Sequence, residues 1–135
     1  MTQHLAAVAI VVPQYDEAIA FYVDKLGFAL IEDTVLSDAK RWVLVAPTGA
    51  SETRLLLAKA ASDQQRQAIG NQTGGRVFLF LQTDDFERDY ENYAKSGIDF
   101  EEAPRLEPYG KVVVFRDPFG NRWDLIERRS SPTTL

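Results

Sequence analysis

Cysteine is absent from the 135 residues, and histidine occurs once, as His4. Without cysteine there is no disulfide framework, no thiolate zinc site and no cysteine nucleophile. Long apolar runs are missing too. No stretch reaches the ~18 residues of a membrane span, and the N-terminal MTQHLAAVAIVVP is too short and too soon interrupted. That segment also lacks the Lys/Arg-bearing start of a signal peptide, and its alternation suits a strand, so cytoplasmic residence is expected. Nor is there a basic excess: 20 acidic residues against 15 basic ones give a formal net charge of −5, and Lys and Arg are scattered. Neither nucleic acid nor membrane is expected as a partner.

The hydrophobic share is 45%, and a chain of this length can bury one real core but not two conventional ones, so a single domain over 1–135 is expected. Leu5 to Val12 is a β-branched apolar run ending at Pro13, which cannot donate to a sheet ladder, and it predicts a strand. Asp16 then opens an amphipathic helix, with Ile19, Tyr22, Val23 and Leu26 at i, i+3, i+4 and i+7 and Gly27 closing it. Three further strands are predicted at 28–35, 41–46 and 53–58, separated by SDAK and PTGASE. A Gln-rich polar linker, 61–74, has room for one short helix.

The pattern then restarts. A strand over 76–82 leads to a helix over 84–96, whose Phe86, Tyr90 and Tyr93 share one face and which Gly97 ends. Strands follow near 99–102, 111–116 and 122–127, with DPFG at 117–120 as the turn before the last. Val8 to Asp16 spans 8 residues, as does Val77 to Asp85, and the helix-ending glycines lie 19 and 20 residues after those valines. Chance likeness between the halves of an ordinary α+β domain could mimic this spacing. Duplication explains it more directly: an α+β fold of two βαβββ repeats, 5–60 and 75–128, forming cupped mixed sheets, with a tail at 129–135.

The residue motifs favour duplication. VAIVV(x8)FYVDKLGF at 8–28, GGRVFLFL at 74–81 and VVVFRDPFGNRWDLIE at 112–127 resemble the vicinal oxygen chelate superfamily, which includes glyoxalases, bleomycin-resistance proteins and dioxygenases. The resemblance implies the paired βαβββ fold and a homodimer. It does not select a reaction, because glyoxalases, epimerases, extradiol dioxygenases, transferases and antibiotic-sequestering proteins share the fold. The family's metal ligands map onto Ala7, Leu56, Arg76 and Asp124, and of these only Asp124 offers an oxygen donor. About three protein ligands are needed for a catalytic divalent site, so the resemblance implies the cup with no metal and no cofactor. A register shifted by three would instead let His4 join Asp124 at a metal. Two-histidine extradiol chemistry is excluded by the histidine count.

Strand alternation places Arg76, Phe78, Phe80 and Gln82 on one face, and Arg122, Asp124 and Ile126 on the matching face of the last strand, with Trp123 and Leu125 behind. Arg76 and Asp124 are therefore expected to pair across the cup, either as a structural ion pair or as a ligand-binding couple. Asp124 is too acidic to be a strong base unless burial raises its pKa, and the adjacent arginine is expected to push that pKa down. Phe78, Phe80, Phe115 and Tyr109 are candidates for an aromatic lining, although Phe80 and Phe115 suit a plain core equally. Tyr109, between Pro108 and Gly110, is expected in a loop over the cavity mouth. Trp42, Lys40 and Arg41 are further candidates. The ligand-binding set is thus Arg76, Phe78, Phe80, Tyr109, Arg122 and Asp124. The expected function is metal-independent binding of a small organic molecule. The alternative is a glyoxalase-like lyase or isomerase using Asp124 with Arg76 or Tyr109, with or without a divalent metal.

Overall fold

The computed structural model describes residues 2–50 and 52–129; the tail expected at 129–135 lies outside them except for Arg129. The chain falls into two compact units, one running to Gln72 and the other starting at Thr73.

The first unit runs β1 (Ala7–Val12), α1 (Tyr15–Ile19, continued by a π-helical stretch over Ala20–Lys25), β2 (Ala29–Ser37), β3 (Lys40–Ala46), β4 (Arg54–Lys59) and α2 (Asp63–Ala68). Its sheet has the order β1-β4-β3-β2, with β1 parallel to β4 and the other pairs antiparallel. Alternation along β1 turns Ile10 and Val12 inward, where they join Val43, Val45, Leu55 and Leu57 under Ala18, Phe21 and Tyr22 of the helical segment. Each fully buried large side chain here contributes about 1.5–3 kcal/mol relative to exposure.

The FYVDKLGF motif acts as the helix stop. Gly27 takes φ 85°, and the Phe28 and Leu26 amides donate to the Tyr22 and Phe21 carbonyls at 2.8 and 2.9 Å. The expected linker is tied to this unit. The Gln72 side chain donates through Nε2 to the Val11 carbonyl (3.1 Å) and accepts from the Val11 amide (3.4 Å), which satisfies the free edge of β1. His4 is exposed and precedes β1.

The second unit runs β5 (Val77–Gln82), α3 (Phe86–Lys95), β6 (Asp99–Phe100), β7 (Arg105–Glu107), β8 (Gly110–Arg116) and β9 (Arg122–Arg128). Its central order is β5-β9-β8, and both β6 and β7 pair with the outer edge of β8. β5 is parallel to β9. One face packs on aromatic rings: Phe115 stacks on Trp123 with centroids 5.8 Å apart and meets Tyr93 of α3 at 5.5 Å. Gly97, at φ 80°, ends α3 as Gly27 ends the first helical segment, with the Ile98 amide donating to the Tyr93 carbonyl at 3.0 Å. β7 departs from the simple repeat. It holds only three residues between Pro104 and Pro108, too few to give a period of two.

The DPFGN segment is the turn between β8 and β9, and Asp117 organises it. Its Oδ1 accepts from the Phe119 and Asn121 amides (3.0 and 2.8 Å), and its Oδ2 accepts from Asn121 Nδ2 (2.7 Å). Both residues are buried. Family resemblance at this segment therefore reflects folding chemistry rather than a reacting group.

Candidate functional site

Directly opposed residues in paired strands share a face. Asp124 of β9 stands opposite Val114 of β8 and level with Phe80 of β5, while Ile126 opposes Val112 and Arg122 opposes Arg116. Trp123 and Leu125 oppose Phe115 and Val113 on the helix side. The second unit therefore carries Asp124 on the face opposite its helix-covered one; there Val112, Val114 and Asp124 are buried and Phe80 is exposed. The expected grouping of Arg122, Asp124 and Ile126 follows this division.

The expected partnership of Asp124 with Arg76 does not form. β5 starts at Val77, which pairs with Arg122, and a register shift separates Val77 from Leu79. Arg76 thus lies outside the strand, exposed, and Phe80 rather than Arg76 comes level with Asp124. Simple alternation carries no bulge, so it misplaces everything upstream of one. Phe78 is half-buried at the irregularity, and Phe80 is 66% exposed rather than core. Phe115 is core, fully buried. Tyr109 occupies the turn between β7 and β8, 48% exposed, as expected for a loop residue. It adjoins Gly110, whose partner is Arg128, so it sits roughly 13 Å along β9 from Asp124.

Around Asp124 the charges come from residues that strand patterning missed. Arg105 donates through Nε to Glu102 (2.9 Å) and also pairs with Glu107; Glu102 further accepts from the Val114 amide at 3.3 Å. Arg122 grips Glu101 with Nε and Nη2 (2.7 and 3.0 Å), and its Nη1 donates to the Gly75 carbonyl (3.0 Å). Arg116 reaches the same Glu101 at 2.9 Å. The only sequence signal for this arrangement is a pair of acids, Glu101 and Glu102, bracketed by the arginines of β7, β8 and β9.

Asp124 itself is 7% exposed, and its Oδ1 has no hydrogen-bond partner among the described residues. Burial pushes its carboxyl pKa up; Arg105 and Arg122 pull it down, Glu102 adds to the rise, and the net shift is upward. The neighbouring arginines lower it as expected, but burial outweighs them. Glu101 behaves oppositely, held below the usual carboxylate range chiefly by its hydrogen bond from Arg122.

A pH signature follows from the Asp124 shift. A carboxyl whose folded pKa is raised favours the fold while protonated, and that contribution is lost as pH rises through the folded value. Asp124→Asn removes the buried charge, so it is expected to stabilise the protein at neutral pH. The gain should vanish below the ordinary Asp value of 3.8, where the native side chain is already neutral. Thermal unfolding of both proteins across that range checks it; destabilisation by the asparagine at neutral pH contradicts it.

Two other candidates resolve differently. Arg41 is locked in the first unit: Nε and Nη2 hold Asp33 (3.1 and 2.7 Å), Nη1 holds Asp16 (2.8 Å), and the guanidinium lies 5.2 Å from the Tyr15 ring centroid. It pins the β2–β3 hairpin to α1 beside a cavity of about 270 Å³ that Lys40 also lines. Trp42 is 38% exposed.

The donor set does not fit the metal that the fold implies. Ala7 and Leu56 have no donor atom, Arg76 is a cation, and Asp124 alone remains. Among the described residues no group of three or more His, Asp or Glu side chains could hold a metal ion. No helix among them is long and apolar enough to cross a membrane.

Comparison with known proteins agrees with this architecture. Residues 4–125 match the family model described as Glyoxalase/Bleomycin resistance protein/Dioxygenase superfamily. An uncharacterized protein of Shewanella frigidimarina (strain NCIMB 400) is 53% identical over 128 residues, covering 94% of this chain and 95% of that one. Among solved structures, UcmS2 is similar at 30% identity and TM-score 0.82, covering 94% of this chain and 99% of that chain. TnmS3, an antibiotic binding protein from Streptomyces sp. CB03234, is similar at 29% identity and TM-score 0.76, covering 95% and 98%.

Proposed function

Because the chain belongs to the glyoxalase/bleomycin resistance protein/dioxygenase superfamily, we propose that it is a metal-independent small-molecule-binding protein that sequesters a drug or metabolite on the Asp124 and Phe80 face of the second unit. The observation that carries this reading is the buried, unpartnered Asp124 Oδ1 level with the exposed Phe80. A polar atom kept out of water without a partner costs about 1–3 kcal/mol, and an apolar ring in water is similarly unfavourable, so a ligand that meets both relieves both. The likeness to an antibiotic binding protein supports the same reading.

The proposal includes a homodimer in the cytoplasm. β2, the outer strand of the first sheet, exposes Leu30, Ile31, Val35 and Leu36 at 41–72%, and such an edge calls for cover.

Catalysis as a lyase or isomerase has one observation in its favour, the upward pKa shift of Asp124. It needs a second group at the same place. Arg76 and Tyr109 stand at opposite ends of the face instead, one before Val77 and the other beyond the Gly110–Arg128 pair. Binding is therefore preferred.

A thermal-shift screen of chelator-treated protein against aromatic antibiotics and metabolites tests the proposal. Hits are expected without added metal, with about 2.7 kcal/mol of stabilisation at a hundredfold excess over Kd, and Phe80→Ala should weaken them. Stabilisation only after adding Ni, Zn or Mn ions, or none with any compound, would overturn it.

A further inference from the structure

Every guanidinium near Asp124 is already committed to a glutamate. Arg105 is shared by Glu102 and Glu107, while Arg122 and Arg116 both grip Glu101. Arg128, on the same face of β9, lies four residues along the strand, roughly 13 Å away. Arg76 precedes β5 and forms no ion pair among the described residues. Asp124 is thus the one carboxylate of the cluster with no ion pair of its own among the described residues, although Arg105 and Arg122 act on it from a distance. An ordered water could satisfy the hydrogen bond of Oδ1, but it would add no positive charge where desolvation makes a carboxylate costly.

We infer that the ligand of this face is an organic cation, a protonated amine or amidine on an apolar body, whose N–H donates to Asp124 Oδ1 while its charge and body lie against the Phe80 ring. The inference rests on the binding role proposed above and names the class of molecule bound. Phe80 suits the second contact because it is level with Asp124 and two-thirds exposed, and an aromatic face attracts a cation. Oδ1 is sealed from solvent, so the ligand's donor reaches it only by displacing a neighbouring side chain. An anionic ligand is disfavoured on the same count, since no arginine beside Asp124 is unengaged.

The test uses three probes of one shape, 1-naphthylmethylamine, 1-naphthalenemethanol and 1-naphthoate, titrated calorimetrically into the full chain and into Asp124→Asn at neutral pH. The amine is expected to bind the native protein about tenfold more tightly than the alcohol, the advantage of one charge-assisted hydrogen bond. Naphthoate should bind most weakly, and Asp124→Asn should bring the amine and the alcohol level. Equal binding of amine and alcohol to the native protein, or tightest binding by naphthoate, overturns the inference and leaves the cup standing. An amine preference that survives Asp124→Asn overturns the assignment to this side chain. Binding by none of the three overturns the inference as well, and the fate of the cup is then read separately from the thermal-shift screen.

Discussion

Gly110→Ala is expected to destabilise the protein by about 3 kcal/mol or more, a fall of roughly 10 °C in Tm for a chain of this size. Gly110 is the first residue of β8 and is paired on both sides, with Glu107 of β7 and Arg128 of β9. A Cβ built there lies 2.3 Å from the Glu127 carbonyl oxygen and 3.0 Å from the Arg128 Cα. Those are backbone atoms of the strand that carries Asp124, so relief requires β8 and β9 to separate locally. The φ of 155° adds to the cost, because side-chain-bearing residues rarely adopt it. Gly97→Ala is the control: no atom lies within 4 Å of a Cβ there, so only its φ of 80° is penalised and the loss should be smaller. Calorimetric unfolding of both variants distinguishes them, and a loss below about 1 kcal/mol at Gly110 would contradict the packing described.

Asp117→Ala is expected to cost about 3 kcal/mol. It strips acceptors from the Phe119 amide, the Asn121 amide and the Asn121 side chain, and Asn121 is only 2% exposed, so water cannot replace them freely. Asp117→Asn should cost much less. The new side chain keeps one oxygen for the two backbone amides, and its NH2 can donate to Asn121 Oδ1, which has no partner among the described residues, once the Asn121 amide turns over. Chemical denaturation with an unchanged m-value checks both. Equal losses in the two variants would show that charge, rather than acceptor geometry, holds the turn.

The repeat was legible because its signals are local. Pro13 ends β1, Gly27 and Gly97 end the helical segments at equivalent places, and DPFG marks the last turn; each acts through the backbone of its immediate neighbours. The site was legible only where alternation runs undisturbed, as from Arg122 to Ile126. The β5–β9 register, which alternation alone does not specify, sets Phe80 rather than Arg76 level with Asp124, and the irregularity near Phe78 further disturbs the alternation upstream of it. Arg105, Glu101 and Glu102 stayed hidden for another reason. They belong to a short strand and its approach, and their pairing with β8 and β9 is a matter of tertiary proximity that spacing along the chain does not encode. The pKa of Asp124 depends first on burial, whose extent spacing along the chain does not encode, so the lowering by arginines read from sequence is outweighed.

The most direct test of the account is methyl NMR of the chelator-treated protein, titrated with a compound that stabilises it in the thermal-shift screen. Val112, Val114 and Ile126 share a face with Asp124, whereas Val113 and Leu125 point to the helix side. The account predicts saturable shifts of the first three methyl groups, with Val113 and Leu125 nearly still and no need for added metal. Shifts confined to the helix side or to the first unit, or appearing only with a divalent ion, would contradict it.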